Sequence, residues 1–220
     1  MNIEKTSYSG IYSGFIGKKK VLLTKNLTKG KTFFDEEEND GYRVFNPRRS
    51  KLAAGVIKRI KITGIKEGDK VLYLGASHGY TPSFVSDIIG MKGFVFCLDF
   101  APRVVRDLVS VCEKRENMTP ILADANKPDT YKDRITSVDV IYQDIAQRMQ
   151  VEILIKNLQF LKPKGYAVIA IKSRSIDVTK RPSFVFEEVE NKLKKALKII
   201  DKKDLSPLEK DHMLFVCQKF

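Results

Sequence analysis

Tryptophan is absent from this 220-residue chain, cysteine occurs three times and histidine twice. Cys97, Cys112 and Cys217 are too few and too scattered for a disulfide framework or a zinc site, and we expect no bound metal. A reducing, intracellular compartment follows, so we expect a cytoplasmic protein. No apolar run approaches the roughly 20 residues needed to cross a bilayer. The opening residues, Met-Asn-Ile-Glu-Lys-Thr-Ser-Tyr, lack the apolar stretch of a secretory signal. No membrane partner is therefore expected. Internal repeats and low-complexity segments are also missing. These absences exclude collagen-like and mucin-like chains, secreted mini-proteins and membrane proteins. What is there, 43% hydrophobic and 30% charged residues, suits a globular chain with a real core.

Acidic residues are in short supply. Forty Lys and Arg face 27 Asp and Glu, for a net charge of +13. The surplus is spread along the chain: 10 basic against 6 acidic in residues 1–50, 15 against 12 in 51–150, and 15 against 9 in 151–220. No basic tail is attached to a neutral body. The folded body itself is basic, and nucleic acid is the expected partner.

Two regions are expected. Residues 1–45 are Gly-punctuated and carry β-branched and aromatic residues at intervals, which reads as a small antiparallel β-hairpin module. Residues 36–41 read as a polar turn, and Asn46-Pro47 breaks the pattern. Residues 46–220 form the second region. Ser50 is a candidate N-cap for a helix bearing Leu52, Ala53, Val56, Ile57 and Ile60. From residue 70 strands and helices alternate. Strands are expected at 70–74, 94–98, 121–122, 138–142, 166–171, 198–202 and 212–218. A helix opens at Pro102, with Val104, Val105, Leu108, Val109 and Cys112 on its apolar face. Another carries Val151, Leu154, Ile155 and Leu158. A third follows Pro182, with Phe186, Val189, Leu193 and Leu197 on one face. Such alternation predicts a doubly wound α/β sheet, whose ligands bind beyond the carboxyl ends of the strands.

Those strand ends carry a consistent chemistry. The first leads into Gly75-Ala76-Ser77-His78-Gly79-Tyr80-Thr81, which is neither Gly-x-Gly-x-x-Gly nor a Walker loop. A pyrophosphate cradle is thus unsupported. The second ends at Asp99, placed where a ribose-binding carboxylate is expected. The third ends at Asp124, where a carboxylate can accept from an adenine amino group. The fourth ends at Asp144. Glycine followed by three aspartates describes a site for a nucleoside without phosphates, and S-adenosylmethionine fits because its sulfonium tolerates carboxylates.

At this point the sequence resembles fibrillarin in its archaeal form. The segments that carry the resemblance are Asn46-Pro47-Arg48-Arg49-Ser50-Lys51-Leu52-Ala53-Ala54, Val71-Leu-Tyr-Leu-Gly-Ala76, Asp99-Phe100-Ala101-Pro102-Arg103, Asp144-Ile145-Ala146-Gln147, Ala170-Ile171-Lys172-Ser173-Arg174-Ser175-Ile176-Asp177 and Asp211-His212. The glycine-arginine-rich tail of the eukaryotic form is absent. The family usually has two threonines at Tyr80-Thr81, Glu at Asp99 and Pro at Arg148. The resemblance implies a Rossmann-like S-adenosylmethionine-dependent methyltransferase fold, with a seven-stranded sheet whose last strand is antiparallel. It implies an RNA ribose 2′-O-methyltransferase acting on rRNA, and on tRNA as a further substrate. The enzyme would work inside a C/D guide ribonucleoprotein with target RNA, a Nop-domain scaffold protein and a kink-turn-binding ribosomal-type protein. The alternative is a non-catalytic RNA-binding scaffold of the same fold.

The resemblance also implies a catalytic set of Lys51, Asp144, Lys172 and His212. Strand order agrees, since Asp144 and Lys172 each follow a parallel strand and His212 opens an antiparallel one. We expect Lys172 nearest the hydroxyl, its pKa lowered by Lys51 and partial burial, with Asp144 orienting it. Lys51 and His212 would hold the target ribose or a proton-accepting water. Expected cofactor contacts are Gly75, Ala76, Tyr80, Thr81, Asp99, Phe100, Asp124, Ala125, Asp144, Ile145, Ala146 and Gln147. Arg48, Arg49, Arg174 and Arg181 flank the site as candidate RNA phosphate ligands. His78 receives no catalytic role. Residues 1–45 lack the aromatic pattern of a single-strand RNA reader, so site choice would fall to guide pairing.

Overall fold

A computed structural model describes residues 2–30 and 32–220. The chain first builds a five-stranded antiparallel sheet from β1 (Ile3–Lys5), β2 (Ile11–Ile16), β3 (Lys19–Lys25), β4 (Glu38–Asn39) and β5 (Tyr42–Val44), in the order β1-β2-β3-β5-β4. The expected polar turn at 36–41 contains the two-residue strand β4. Helix α1 (Lys51–Ile57) follows, and the Ser50 side chain caps it by accepting from the Ala53 N–H.

The larger sheet comprises β6 (Lys70–Leu74), β7 (Phe94–Asp99), β8 (Met118–Leu122), β9 (Val138–Gln143), β10 (Leu161–Lys172), β11 (Leu197–Asp204) and β12 (His212–Lys219). Its order is β11-β12-β10-β9-β6-β7-β8. Strands β6 to β10 pair in parallel, and β12 runs antiparallel to both β10 and β11. The expected seven-stranded sheet with an antiparallel last strand is the one observed. Pro120 lies in β8, an edge strand, where its missing N–H breaks no ladder.

Helices cover both faces. Alternate residues of β6 show why: Val71 and Tyr73 enter one core, Leu72 and Leu74 the other. The first core gathers side chains from α1, α2 (Tyr80–Ile89) and α3 (Pro102–Cys112), together with Ile11, Leu22 and Phe45 of the small sheet and the residues that follow it. The second gathers α4 (Gln150–Asn157) and α6 (Pro182–Lys194), with the short α5 (Ser173–Ile176) between β10 and α6.

The small sheet is thus joined to the body by a shared core. Gly10 makes the close approach possible: it has φ +66°, and a Cβ there would meet the Ile88 carbonyl oxygen at 2.6 Å. A buried charge network adds to the junction. Arg43 of β5 donates to Glu36 and to Asp87 of α2, both at 2.8 Å, and Arg115 donates to Asp87 at 2.7 Å. The Thr24 hydroxyl of β3 donates to the same Asp87.

Several apolar-face expectations need correction. Leu197 does not extend α6 but opens β11, opposite Lys219. Ile155 is exposed, and Asn157 is buried in its stead. In α3 the buried residues are Val105, Leu108, Val111 and Cys112, with Val104 and Val109 only half-buried. Ile57 is exposed, and Ile60 is buried beyond the end of α1. Among the described residues, no helix is long and apolar enough to cross a membrane.

Candidate functional site

Strand order places the site. From β6 the chain moves outward to β7 and β8, then returns to β9 on the other side of β6. The carboxyl ends of β6 and β9 therefore flank the point where the winding reverses, the usual crevice of an α/β sheet. Gly75 and Asp144 are the residues just past those ends. Gly75 has φ +84°, and a Cβ there would lie 2.3 Å from the Asp144 carbonyl oxygen and 2.7 Å from Ile145 Cγ2. Only glycine lets the two loops close on each other here.

A cleft of about 310 Å³ opens at this point, lined by Gly75, Ser77, Leu98, Asp99, Phe100, Ala125, Asp144, Ile145, Ala146 and Gln147. A second cleft of about 340 Å³ shares Gly75, Ser77 and Asp144, and adds Lys51, Ala76, Tyr80 and Thr81 among others. Eleven of the twelve expected cofactor residues line one or the other. Asp124 lines neither cleft, although its neighbour Ala125 does; its carboxylate accepts from the Asn126 N–H at 2.8 Å. Tyr80 borders the second cleft, but its ring packs edge-on against Phe34 and Phe84, with the Arg49 guanidinium 4.2 Å above it. Thr81 donates its hydroxyl to Ser50, supporting the cap from which Lys51 projects. Ser77 and Leu98, which sequence reasoning missed, join the lining.

Asp99 accepts from the Ser77 N–H at 2.9 Å through one oxygen and from the Ala101 N–H at 3.1 Å through the other. A carboxylate offers about four acceptor positions, so each oxygen keeps one free. That leaves a pair of acceptors suited to a vicinal diol. Phe100 is 61% exposed beside it and offers a ring face. The Lys and Arg residues of the two linings are Lys51, paired with Asp144, and Arg49, which is held by the Phe34 carbonyl and the Tyr80 ring. Nothing in them suits a pyrophosphate.

Lys51 Nζ lies 3.0 Å from Asp144 Oδ2, with both side chains about a quarter exposed. Burial is the largest influence on Lys51 and favours its neutral amine. The Asp144 carboxylate, by charge and hydrogen bond, and then Glu209 outweigh burial, so the Lys51 pKa is raised. Here the structure departs from the expected pairing. Asp144 holds Lys51 rather than Lys172, and burial falls on Lys51, while Lys172 is exposed. Lys172 ends β10 and is the register partner of His212, the first residue of β12. His212 is nearly buried, and its Nδ1 lies 2.7 Å from the Lys210 carbonyl.

The four arginines take different positions. Arg48 is exposed, and Arg49 donates to the Phe34 carbonyl at 2.7 Å. Arg174 is bound by Asp211, at 3.1 Å, and donates to the Val178 carbonyl. Arg181 is the exposed N-cap residue of α6. His78 contacts Ser77 and Asp107 and borders the second cleft.

Comparison with known proteins bears on this geometry. The sequence model of the Fibrillarin family matches residues 3–220. The chain is 49% identical over 219 residues to the fibrillarin-like rRNA/tRNA 2′-O-methyltransferase of Methanocaldococcus jannaschii, with 96% of this chain and 95% of that protein covered. It is 48% identical over 227 residues to the protein of the same name from Thermococcus onnurineus, with the whole of each covered. Among solved structures, Aeropyrum pernix fibrillarin with natively bound S-adenosyl-L-methionine superposes with a TM-score of 0.91 at 39% identity, covering 99% of this chain and 98% of that one. A fibrillarin/Nop5p complex gives 0.90 at 35% identity, covering 98% and 100%.

Proposed function

The chain belongs to the fibrillarin family, and from that premise we propose how its own residues carry the family's reaction. The protein is an S-adenosylmethionine-dependent RNA ribose 2′-O-methyltransferase, and a Nop-domain scaffold protein is its partner. The observation that supports the assignment of residues is that two pairs stand at the same end of one sheet. Asp144, held by Lys51, follows β9 at the reversal point, and Lys172 ends the neighbouring strand β10 as the register partner of His212.

The cofactor fits the cleft on its chemistry. Asp99 keeps two free acceptors for the ribose diol, Phe100 offers a stacking face for adenine, and Gly75 with the 144–147 loop forms a close cradle. Asp144 supplies negative charge near the sulfonium, and Lys51 is paired with it at 3.0 Å. When bound, S-adenosylmethionine supplies an activated methyl group to the ribose 2′-oxygen. The protein must then place the hydroxyl in line and take its proton. We assign Lys172 to the hydroxyl and its proton, and His212 to the flanking ribose or water. Arg48, Arg49, Arg174 and Arg181 face the RNA phosphates. Ala76, Tyr80, Thr81 and Asp124 complete the expected cofactor set, with Tyr80 and Thr81 acting chiefly through Arg49 and Ser50.

Site choice is assigned to a C/D guide RNA held by the Nop-domain scaffold and a kink-turn-binding protein. Dispersed positive charge gives RNA affinity without base discrimination, because counterion release is blind to sequence. We divide the chain into a support module at 1–45 and the methyltransferase domain at 46–220, and place the protein in the cytoplasm, in line with its archaeal relatives. Mapping of 2′-O-methyl groups on a target RNA, omitting each component in turn, tests the scheme. The full assembly should modify one guided ribose, and the chain alone should modify RNA poorly and without selectivity. Efficient single-site modification by the chain alone would overturn it.

A further inference from the structure

Two buried glutamines tie together the strand ends that bear Asp144 and Lys172. The parallel ladder between β9 and β10 stops at the pair Gln143 and Ile169. Lys172 lies three residues beyond that point. On its β12 side it has His212 as a partner, but on the β9 side no strand continues. Gln150 fills that position. Its amide oxygen accepts from the Lys172 backbone N–H at 3.1 Å, and its amide nitrogen donates to the Lys172 carbonyl at 3.2 Å. One side-chain amide thus does for Lys172 what a neighbouring strand's peptide groups would do. Gln143, the residue before Asp144, donates through its own amide to the Gln150 backbone carbonyl at 2.7 Å. Both glutamines are fully buried.

A packing role does not require these groups. An apolar side chain of similar volume would fill either place, and it would not leave the Gln143 amide oxygen buried without a hydrogen-bond partner. What the amides add is a fixed geometry. Lys172 is exposed, and its side chain is long and flexible. The fold can control its terminal amino group only by fixing the backbone from which it grows. Misplacement of about 1 Å at a reacting group costs on the order of 100-fold in rate.

We propose that Gln150, braced by Gln143, is a positioning residue for methyl transfer: it replaces a missing strand and fixes the Lys172 backbone relative to Asp144. The proposal rests on the reading of Asp144 and Lys172 as residues of the reaction edge. The test uses the assembled guide ribonucleoprotein with target RNA and saturating S-adenosylmethionine. Single-turnover rates are measured for Gln150→Met and Gln143→Met, each made with Lys172 present and in a Lys172→Ala chain. Calorimetry gives cofactor affinity, and thermal unfolding confirms the fold. Gln150→Met should slow the single turnover about 10- to 100-fold at unchanged cofactor affinity, with a smaller loss for Gln143→Met. Neither change should slow the Lys172→Ala enzyme further, since effects that pass through one group do not add. Should Gln150→Met fail to fold, Gln143→Met carries the test, because it leaves the bonds from Gln150 to Lys172 in place. Equal losses in both backgrounds, an unchanged rate, or a loss explained by cofactor affinity would overturn the proposal. A full rate from Lys172→Ala itself would instead overturn the reading of the edge on which the proposal rests.

Discussion

Lys172 and His212 are register partners across the antiparallel β10–β12 ladder, the last pair before the two strands separate. Directly opposed residues in such a ladder project on the same side of the sheet, a few ångströms apart. One ladder therefore delivers an amino group and an imidazole together to the sheet end where Asp144 emerges. Lys172→Ala should reduce the single-turnover rate about 10²–10⁴-fold, the usual scale for losing an acid–base group. Cofactor affinity should persist, because the group is assigned to the hydroxyl and not to the adenosine, and it lines neither cleft. Retention of a large share of the rate in a rapid-quench assay would contradict the role.

Asp99 makes a second prediction. With two loop N–H groups already bound, its remaining acceptors are the ones left for the diol. Asp99→Ala should weaken S-adenosylmethionine binding by about 1.5–3 kcal/mol, the range for a charged hydrogen bond, or roughly 10- to 150-fold. Isothermal titration calorimetry checks this, and unchanged affinity would remove Asp99 from the site.

The Lys51–Asp144 pair predicts a pH dependence. The folded pKa of Lys51 lies above its unfolded value. Its contribution to stability is therefore complete below the unfolded lysine pKa and is lost as pH rises through the folded one. The stability difference between the wild-type chain and Lys51→Met should hold constant from neutral pH to about pH 10.4, the unfolded lysine value, and shrink as pH rises further through the folded pKa. Denaturant titrations at a series of pH values give the difference. Its disappearance near neutrality would contradict the pair.

Much of this was legible in the sequence, for physical reasons that differ by element. The run at Lys70–Leu74 is apolar at every position after the lysine, as a strand covered on both faces must be, and Gly75 ends it. Pro102 marked the start of α3 because its fixed φ and missing N–H suit the first turn. Leu197 misled because it continues the helical spacing of Val189 and Leu193, while β11 needs a buried residue at the same point. Asn157 was invisible to hydrophobic periodicity. Its burial is supported by bonds to the Tyr131 hydroxyl at 2.5 Å and to the Ala125 carbonyl at 2.9 Å, and such contacts leave no periodic trace.

The candidate site was legible in its membership and less so in its pairings. Strand ends pointed to Gly75, Asp99 and Asp144 because topology alone sends them to one edge. Which lysine meets Asp144 depends on how α1 lies over the sheet, and that is set by the Thr81–Ser50 contact and the packing of Leu52 and Ala53. The orientation of Tyr80 depends on Phe34, Phe84 and Arg49, none of them its near neighbours in sequence except Phe84. Gln150 gave no signal, since its value lies in a ladder that ends short.

The buried charges at the junction predict a large stability effect. Asp87 is the shared acceptor of Arg43 and Arg115, and all three side chains are fully buried. Asp87→Ala leaves two buried guanidinium groups with Glu36 as their remaining carboxylate partner. The cost should be about 3–5 kcal/mol, the scale for breaking a buried ion pair from one side. Urea unfolding measures it, and a loss below 1 kcal/mol would show the network to be dispensable.

The central claim is that the acceptor is a ribose 2′-hydroxyl presented to the edge formed by Lys51, Asp144, Lys172 and His212. The most direct measurement compares two target RNAs in the assembled ribonucleoprotein, identical except for a 2′-deoxy group at the guided nucleotide. Transfer of a labelled methyl group is counted for each. The account predicts stoichiometric labelling of the ribose target and none of the deoxy target. Equal labelling of both would place the methyl on a base or another atom, and would contradict the account.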